Sequence, residues 1–306
     1  MLACSGNGVA LAPGDDTLPT NKKRIWPMDL QLAGKRALIT GSSSGIGAGI
    51  AKVLAREGAT ILVHGRDADR CARVVGEISA AGGTASFVLG DVATHEGCET
   101  VVAAADGLGG VDILVNNAGG RASSQRRTGN DGVLNPAWLD TPWSDWLWTF
   151  EQNVGAAVRL IQRLVPGMKE RRFGRVVNIG SAAATQAEPD LAEYQAVKAA
   201  MVNISASLAK TLAHSGVTVN TVTPGVIMTP AVKDSFTDLA EKLGWDSNDW
   251  GEVERRFTAE IFVNSAGKFG KPEDIGRMVA LLASPLSDYM TGANYRVDGG
   301  QIRSIN

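Results

Sequence analysis

Short runs of apolar, often β-branched residues alternate along the chain with longer stretches whose apolar positions recur at helical spacing. RALIT (Arg36–Thr40) is followed by IGAGIAKVLAREG, which stops at Gly58. TILVHG (Thr60–Gly65) precedes DADRCARVVGEISAAGG, and SFVLGD precedes THEGCETVVAAADGLGG. VDILVNNAGG, then GRVVNIGS with an alanine-rich helical run behind it, GVTVNTVTPG and ANYRVDGG continue the series. A short run ending in glycine or a polar residue, then a helical segment, repeated, spells βαβ units and a parallel sheet. Right-handed crossovers put helices on both faces. The expected fold class is therefore α/β: one doubly wound parallel sheet of about seven strands.

Residues 1–28 break this rhythm; they are rich in Gly, Pro, Asp and Thr and read as a flexible N-terminal extension. No shift in composition marks a second domain, so residues 29–306 read as one. Two internal stretches also interrupt the alternation, Gly120–Trp143 and Thr229–Phe269. Long excursions after strands lie at the carboxyl edge of such a sheet, where ligands bind.

Composition narrows the class. The chain has 306 residues, 44% of them hydrophobic, enough for a substantial core, and a formal charge of −2 gives no basic balance for nucleic acid or an anionic membrane. No apolar run approaches the roughly 20 residues of a membrane span, and residues 1–28 lack a signal peptide's basic-then-apolar order. Cys4, Cys71 and Cys98 lack metal-ligand spacing and the three histidines are dispersed, so no metal site is expected. A cytoplasmic protein with inert thiols is the expectation.

LITGSSSGIGAGI sits between the first strand and the first helix. Gly41 permits a sharp turn, Gly45 a close approach to a pyrophosphate, and Gly47 tight helix–strand packing. The helix start, with Ser43, Ser44 and Ile46, offers unpaired N–H groups and partial positive charge to phosphates. At the end of the second strand an acid would hold a ribose 2′-OH; here Arg66 follows Gly65 and can pair with a 2′-phosphate. NADP(H) is favoured; NAD(H) remains possible if Arg66 is solvated and Asp67 takes the ribose.

GSAAATQAEPDLAEYQAVKAAM (Gly180–Met201) puts Tyr194 and Lys198 four residues apart, on one side of a helix. A free phenol, with a pKa of about 10, is a poor base at neutral pH. A neighbouring ammonium favours the phenolate and suits it to proton exchange with a carbonyl–alcohol pair. Ser181, ending a strand, could hold the substrate oxygen. Asn153 is polar in a largely apolar helical run, WTFEQNVGAAVRLI.

Taken in order, TGSSSGIG, NNAG (Asn116–Gly119), Ser181, YQAVK (Tyr194–Lys198) and VNTVTPGVIMTP (Val219–Pro230) resemble the short-chain dehydrogenase/reductase family, from about Leu30 to Gly300. The resemblance implies a Rossmann fold and a proton-transferring Tyr194. It implies that Lys198 lowers the tyrosine's pKa and binds the nicotinamide ribose, and that Ser181 orients substrate. Asn153 would anchor a water linking Lys198 to solvent. Asp91 would accept from the adenine amino group with Val92 beside the ring, and Asn117, Ala118 and Gly119 would allow close approach of the cofactor. The asparagines of NNAG could equally tie adjacent strands together. Pro224 and Gly225 are expected at a turn after the sixth strand, with peptide groups near Ile227 on the carboxamide and Thr229 on the phosphate. Residues of about 229–269 resemble the family's substrate lid, and the resemblance suggests a homodimer or homotetramer, paired through Trp146–Lys169.

The segment Gly120–Phe150 is longer than is usual in the family. Its Arg121, Arg126 and Arg127 could pair a carboxylate or phosphate in a substrate-side flap. Alternatively, Trp138, Trp143, Trp146 and Trp148 pack helices together or against a second subunit. Relatives that prefer NADP often carry a basic residue where Ser44 stands, so Arg66 is expected to hold the extra phosphate largely alone. The expected activity is an oxidoreductase moving a hydride between NADP(H) and a small carbonyl or secondary alcohol. Alternatives are a 3-oxoacyl-[acyl-carrier-protein] reductase, with Lys169, Arg171, Arg172 and Arg175 as a basic rim for its acidic partner, and an NAD-dependent alcohol dehydrogenase. The complete set Asn153–Ser181–Tyr194–Lys198 speaks against a non-catalytic nucleotide sensor.

Overall fold

The computed structural model of the protein describes residues 28–121, 138–187 and 191–304. The N-terminal extension, Met28 apart, and Arg126 and Arg127 lie outside the described residues. β1 (Arg36–Ile39), α1 (Gly45–Arg56), β2 (Thr60–Gly65), α2 (Ala68–Ala80), β3 (Thr84–Leu89) and α3 (His95–Gly107) form the first half. β4 (Ile113–Asn116) leads to α4 (Trp143–Phe150), which runs through a π-helical turn (Glu151–Gly155) into α5 (Ala156–Glu170). β5 (Gly174–Ile179), α6 (Ala192–Thr211) and β6 (Val217–Pro224) follow. Then come α7 (Pro230–Lys242), α8 (Trp250–Arg256), a second π turn (Phe257–Ile261), α9 (Pro272–Ala283) and β7 (Asn294–Val297).

The seven strands form one sheet in the order β3-β2-β1-β4-β5-β6-β7, every pair parallel. This is the expected doubly wound α/β sheet. The order reverses between β1 and β4, and the crevice at their carboxyl ends is where such sheets bind ligands. The strands' two-residue period sorts side chains into two cores. Ala37 and Ile39 join Ile50, Leu54, Ile275 and Val279 of α1 and α9 on one face. Leu38 joins Leu114, Leu160 and Leu164 on the other. Two glycines let α1 and α9 touch: a Cβ on Gly49 would collide with Pro272, and one on Gly276 would come 2.7 Å from Val53.

Pro224 differs from expectation, since it is the last residue of β6 rather than part of the turn. β5 pairs no further than Val222, so at Pro224 only β7 is a neighbour, through Val297. A proline is tolerated there because no second strand needs its missing N–H.

The excursion after β6 has a core of its own. Phe236 stacks on Phe262 at 5.0 Å and lies 4.7 Å from the fully buried Phe257, while Trp245 meets Phe257 edge-on at 4.9 Å. Its two ends are tied by a parallel bridge between Ile227 and Gly270: Met228 N–H donates to Gly270 O at 2.7 Å and Gly270 N–H to Val226 O at 3.1 Å.

Candidate active site

The β1–α1 loop turns at Gly41, whose φ of +63° is a left-handed conformation that favours glycine. A Cβ on Gly47 would come 2.5 Å from Gly41 O and 2.6 Å from Asn117 Nδ2, so the helix start can press onto the loop only without one. Asn117 in turn donates its side-chain amide to Thr40 O (2.9 Å) and Gly41 O (3.2 Å), holding the turn from β4. Asn116 instead ties β4 to β5, donating to Asn178 Oδ1 at 2.8 Å. Thr229 caps α7 by accepting from Val232 N–H, and its methyl would be 3.4 Å from a Cβ on Gly45. The far side of the excursion's start thus lies against the glycine loop.

A cleft of about 450 Å³ opens at this edge. It is lined by Gly41, Ser43 and Ser44 from the loop, Arg66 beyond β2, Asp91 and Val92 beyond β3, and Asn117, Ala118 and Gly119 beyond β4. Ile46 packs against the core beneath and does not line the cleft. Asp91 Oδ1 accepts from Ala93 N–H at 3.1 Å, and its other oxygen lies 3.8 Å from Arg66 Nη1. Asp67 caps α2 by accepting from Arg70 N–H at 3.0 Å, which occupies the carboxylate that the alternative reading gave to a ribose.

Four lining residues were not singled out from the sequence: His64, Arg70, Gly90 and Gln152. Arg70 puts a second guanidinium beside Arg66, paired to Asp67 Oδ2 at 3.3 Å, so Arg66 is not alone on that wall. An arginine four positions after Arg66, at the start of α2, was the available signal. His64 is buried and makes hydrogen bonds to Gly41 N and Gly90 O. Burial chiefly holds its pKa below the ordinary histidine value.

Beyond the cleft, α6 carries Tyr194, half-buried, and Lys198, only 5% exposed, one turn apart. The Lys198 ammonium donates to Ile179 O, the last residue of β5, at 3.0 Å, and lies 5.6 Å from the centroid of the Tyr194 ring. Ser181, two residues past that carbonyl, opens a short 3₁₀ turn (Ala182–Ala184) and accepts from Ala183 N–H through Oγ at 3.2 Å. Its hydroxyl proton is free to be donated elsewhere.

Asn153 sits in the π turn, where the sequence suggested continuous helix; π turns gather at functional sites. Its amide donates to Thr149 O (2.8 Å) and Gly120 O (2.9 Å), while its buried Oδ1 has no partner among the described residues. A Cβ on Gly119 would collide with that oxygen, so the NNAG glycine makes room for it.

Trp138 and Trp146 meet edge-on at 5.6 Å and line a groove of about 580 Å³ with Ala183, Ala184, Gln195, Ala196 and Ala199. Trp143, Leu147 and Phe150 stand exposed on α4 at spacings of four and three residues, hence on one face. Trp245 and Trp250 belong to the core of the 229–269 excursion. At Ile227, the flanking Val226 and Met228 N–H groups are committed, to Gln301 Oε1 and Gly270 O. Gly225 lies so close to Asp298 that a Cβ would come 2.8 Å from its Cα.

The suggested basic rim does not border the site. Arg175 is the second residue of β5, at the amino edge of the sheet, fully buried and bonded to Asp288, Ser284 O and Gly216 O. Arg171 reaches Val111 O at 2.6 Å and lies 3.6 Å from Asp112 on that same edge. A charge run read along the chain does not say which end of a strand it precedes, and these arginines serve the packing there.

Comparison with known proteins agrees with this architecture. Residues 41–301 match the family model described as enoyl-(acyl carrier protein) reductase. The chain is 37% identical to the uncharacterized oxidoreductase YvaG of Bacillus subtilis, covering 91% of this chain and all of that protein. It is 36% identical to the 3-oxoacyl-[acyl-carrier-protein] reductase FabG of Vibrio cholerae, covering 89% of this chain and 98% of that one. Among solved structures, L-sorbose reductase from Gluconobacter frateurii, complexed with NADPH and L-sorbose, superposes with a TM-score of 0.81 at 33% identity, over 91% of this chain and 100% of that one. Strand order, site and relatives converge: the chain belongs to the short-chain dehydrogenase/reductase family of oxidoreductases.

Proposed function

We propose that the protein is an NADP(H)-dependent oxidoreductase that interconverts a carbonyl and a secondary alcohol, with Tyr194 as general acid and base. The observation that carries this is the placing of Tyr194 and the buried ammonium of Lys198 one turn apart on α6, over the end of β5. The cleft beside them fits a dinucleotide: Gly41, Gly90 and Gly119 leave its wall without side chains, Ser43 and Ser44 sit at the start of α1, and Arg66 and Arg70 stand at its far end. When bound, the nicotinamide supplies or accepts the hydride.

The chain's own residues do the rest. Gly41, Ser43, Ser44 and Gly45 face the pyrophosphate, with the α1 start favouring its charge. Arg66 holds the 2′-phosphate, Arg70 adds positive charge beside it, and Asp91 and Val92 bracket the adenine. Asn117 supports the loop that Ala118 and Gly119 let the cofactor approach. The Ile227 peptide and Thr229 fix the nicotinamide end, and Pro224, closing β6, with Gly225 beyond it leads the chain to them. Ser181 Oγ donates to the substrate oxygen. Tyr194 gives that oxygen a proton in reduction and takes it in oxidation, and the Lys198 ammonium favours negative charge on the phenolic oxygen between the two. Lys198 has two further N–H bonds for the ribose and for a water on Asn153 Oδ1, an acceptor that is otherwise unmet.

The L-sorbose reductase likeness, with its bound NADPH, supports this cofactor and a small polar ketone as substrate. The FabG relatives favour a second reading, a 3-oxoacyl thioester carried on an acyl-carrier protein. A screen of ketones, sugars and 3-oxoacyl thioesters with NADPH and NADH decides between them. Tyr194→Phe is expected to lower turnover by about 10²–10⁴-fold while leaving NADPH binding nearly intact. Retained turnover ends the role given to Tyr194. We further propose that residues 29–306 act as one domain in the cytoplasm, and that the exposed α4 face supports pairing of two copies.

A further inference from the structure

We propose that His64 is a positioning residue of the dinucleotide site, a neutral imidazole strut that fixes the phosphate loop against the adenine wall and lets go on acidification. The proposal rests on the reading of the cleft as a dinucleotide site. His64 lies in β2 two residues before Arg66 and lines the cleft, 3% exposed, with its ring spanning two chain segments. Gly41 N–H lies 3.0 Å from Nδ1, and Gly90 O lies 3.1 Å from Nε2.

These partners leave one assignment. A peptide N–H can only donate and a carbonyl oxygen can only accept, so Nδ1 is the acceptor and Nε2 carries the proton. The first bond sets the turn at Gly41, where the chain enters the phosphate loop. The second sets Gly90, the residue before Asp91 and Val92. One side chain thus holds both ends of the cleft at a fixed separation, and Ser42 Oγ, accepting from His64 N–H at 3.0 Å, locks the strand beneath it.

An imidazolium cannot play this part. A proton on Nδ1 would set two donors face to face and release Gly41. Around the ring stand Asp91 beyond β3, Arg66 beyond β2, and Asp67, Arg70 and Cys71 at the start of α2; the Gly41–Ser44 loop carries no titratable group. Asp91 favours the proton, whereas burial foremost, and Arg66, oppose it, and the net direction is down from the ordinary 6.5. The strut is therefore complete above 6.5 and is lost only as pH falls through the lowered pKa beneath it.

The test compares NADPH binding by the full chain, His64→Asn and His64→Leu between about pH 7.5 and about pH 5.5. Asparagine puts Oδ1 where Nδ1 was, so it keeps an acceptor for Gly41 that does not titrate. Leucine keeps bulk and removes both bonds. The 2′-phosphate itself titrates near about pH 6, so the readout is the difference between variants rather than the wild-type slope. Wild-type Kd should climb on acidification more steeply than that of His64→Asn, by a factor kept below about tenfold because the imidazole's pKa is lowered, and His64→Leu should bind roughly tenfold more weakly than wild type at the upper pH. Parallel titration of wild type and His64→Asn overturns the inference alone, as does wild-type affinity in a folded His64→Leu. Failure of the wild-type chain to bind any dinucleotide overturns the cofactor reading with it. Where the leucine variant does not fold, as read by circular dichroism, the asparagine comparison decides.

Discussion

Gly47 shows how much of the site hangs on a missing methyl group. Its Cβ would meet Gly41 O at 2.5 Å and Asn117 Nδ2 at 2.6 Å, and both are fixed, one by the turn and the other by its own hydrogen bonds. Gly47→Ala is expected to cost about 1–3 kcal/mol of stability and to weaken NADPH binding more than tenfold, read by denaturant titration and fluorescence. Single residues were legible in the sequence when their chemistry sits in local spacing. Tyr194 and Lys198 share a helix face whatever surrounds them, and Gly41, Gly45 and Gly47 mark a loop before any strand is placed. His64 and Gln152 were not legible, because what they face comes from other elements, whereas Arg70 carried a local signal in its spacing from Arg66. A histidine in an apolar strand says nothing about which peptide groups lie on its two sides until β1 and β3 are placed beside β2.

At the scale of elements, all seven strands were read to within a few residues, since each is a short run closed by a turn and the central parallel strands, buried on both faces, have little choice of composition. The excursion over 229–269 was legible as an interruption but not as a packed unit. Its cohesion comes from Phe236, Phe257, Phe262 and Phe269, which are scattered along the sequence and meet only in three dimensions. Because Phe257 is fully buried in that cluster, Phe257→Ala should cost the excursion about 3–5 kcal/mol. The strand core lies in other clusters, so the loss should be local: limited proteolysis should cut within 229–269 while the amides of β4 and β5 keep their protection from hydrogen exchange. Equal loss of protection throughout would show that the two are one cooperative unit. The π turn at Asn153 was also hidden, as one extra residue in a helical run leaves its apolar period nearly unchanged.

In the whole molecule, charge and apolar surface are divided between the two edges of the sheet and its flank. At the amino edge, Arg36 and Arg171 converge on Asp112, whose pKa burial pushes up but the arginines, Arg36 foremost, bring below the ordinary aspartate value. The carboxyl edge carries the glycines and hydroxyls of the loop, Arg66 and Arg70 with Asp67 and Asp91 beside them, and the Lys198 ammonium. On the flank, the Trp143–Leu147–Phe150 face has the apolar character of an interface. If it pairs two copies, Trp143→Glu should lower the sedimentation coefficient toward that of a monomer, with the circular dichroism of the fold unchanged. An unchanged coefficient would place the contact elsewhere.

The bridge between Ile227 and Gly270 carries a consequence for how such a protein diversifies. A segment that departs and returns through one pair of neighbouring peptides is a cassette. Its side chains from Pro230 to Phe269 can be exchanged for a cousin's with no strand displaced and no proton-handling group moved, provided Thr229 stays against the glycine loop. The packed excursion and the strand ends beneath it can thereby change separately.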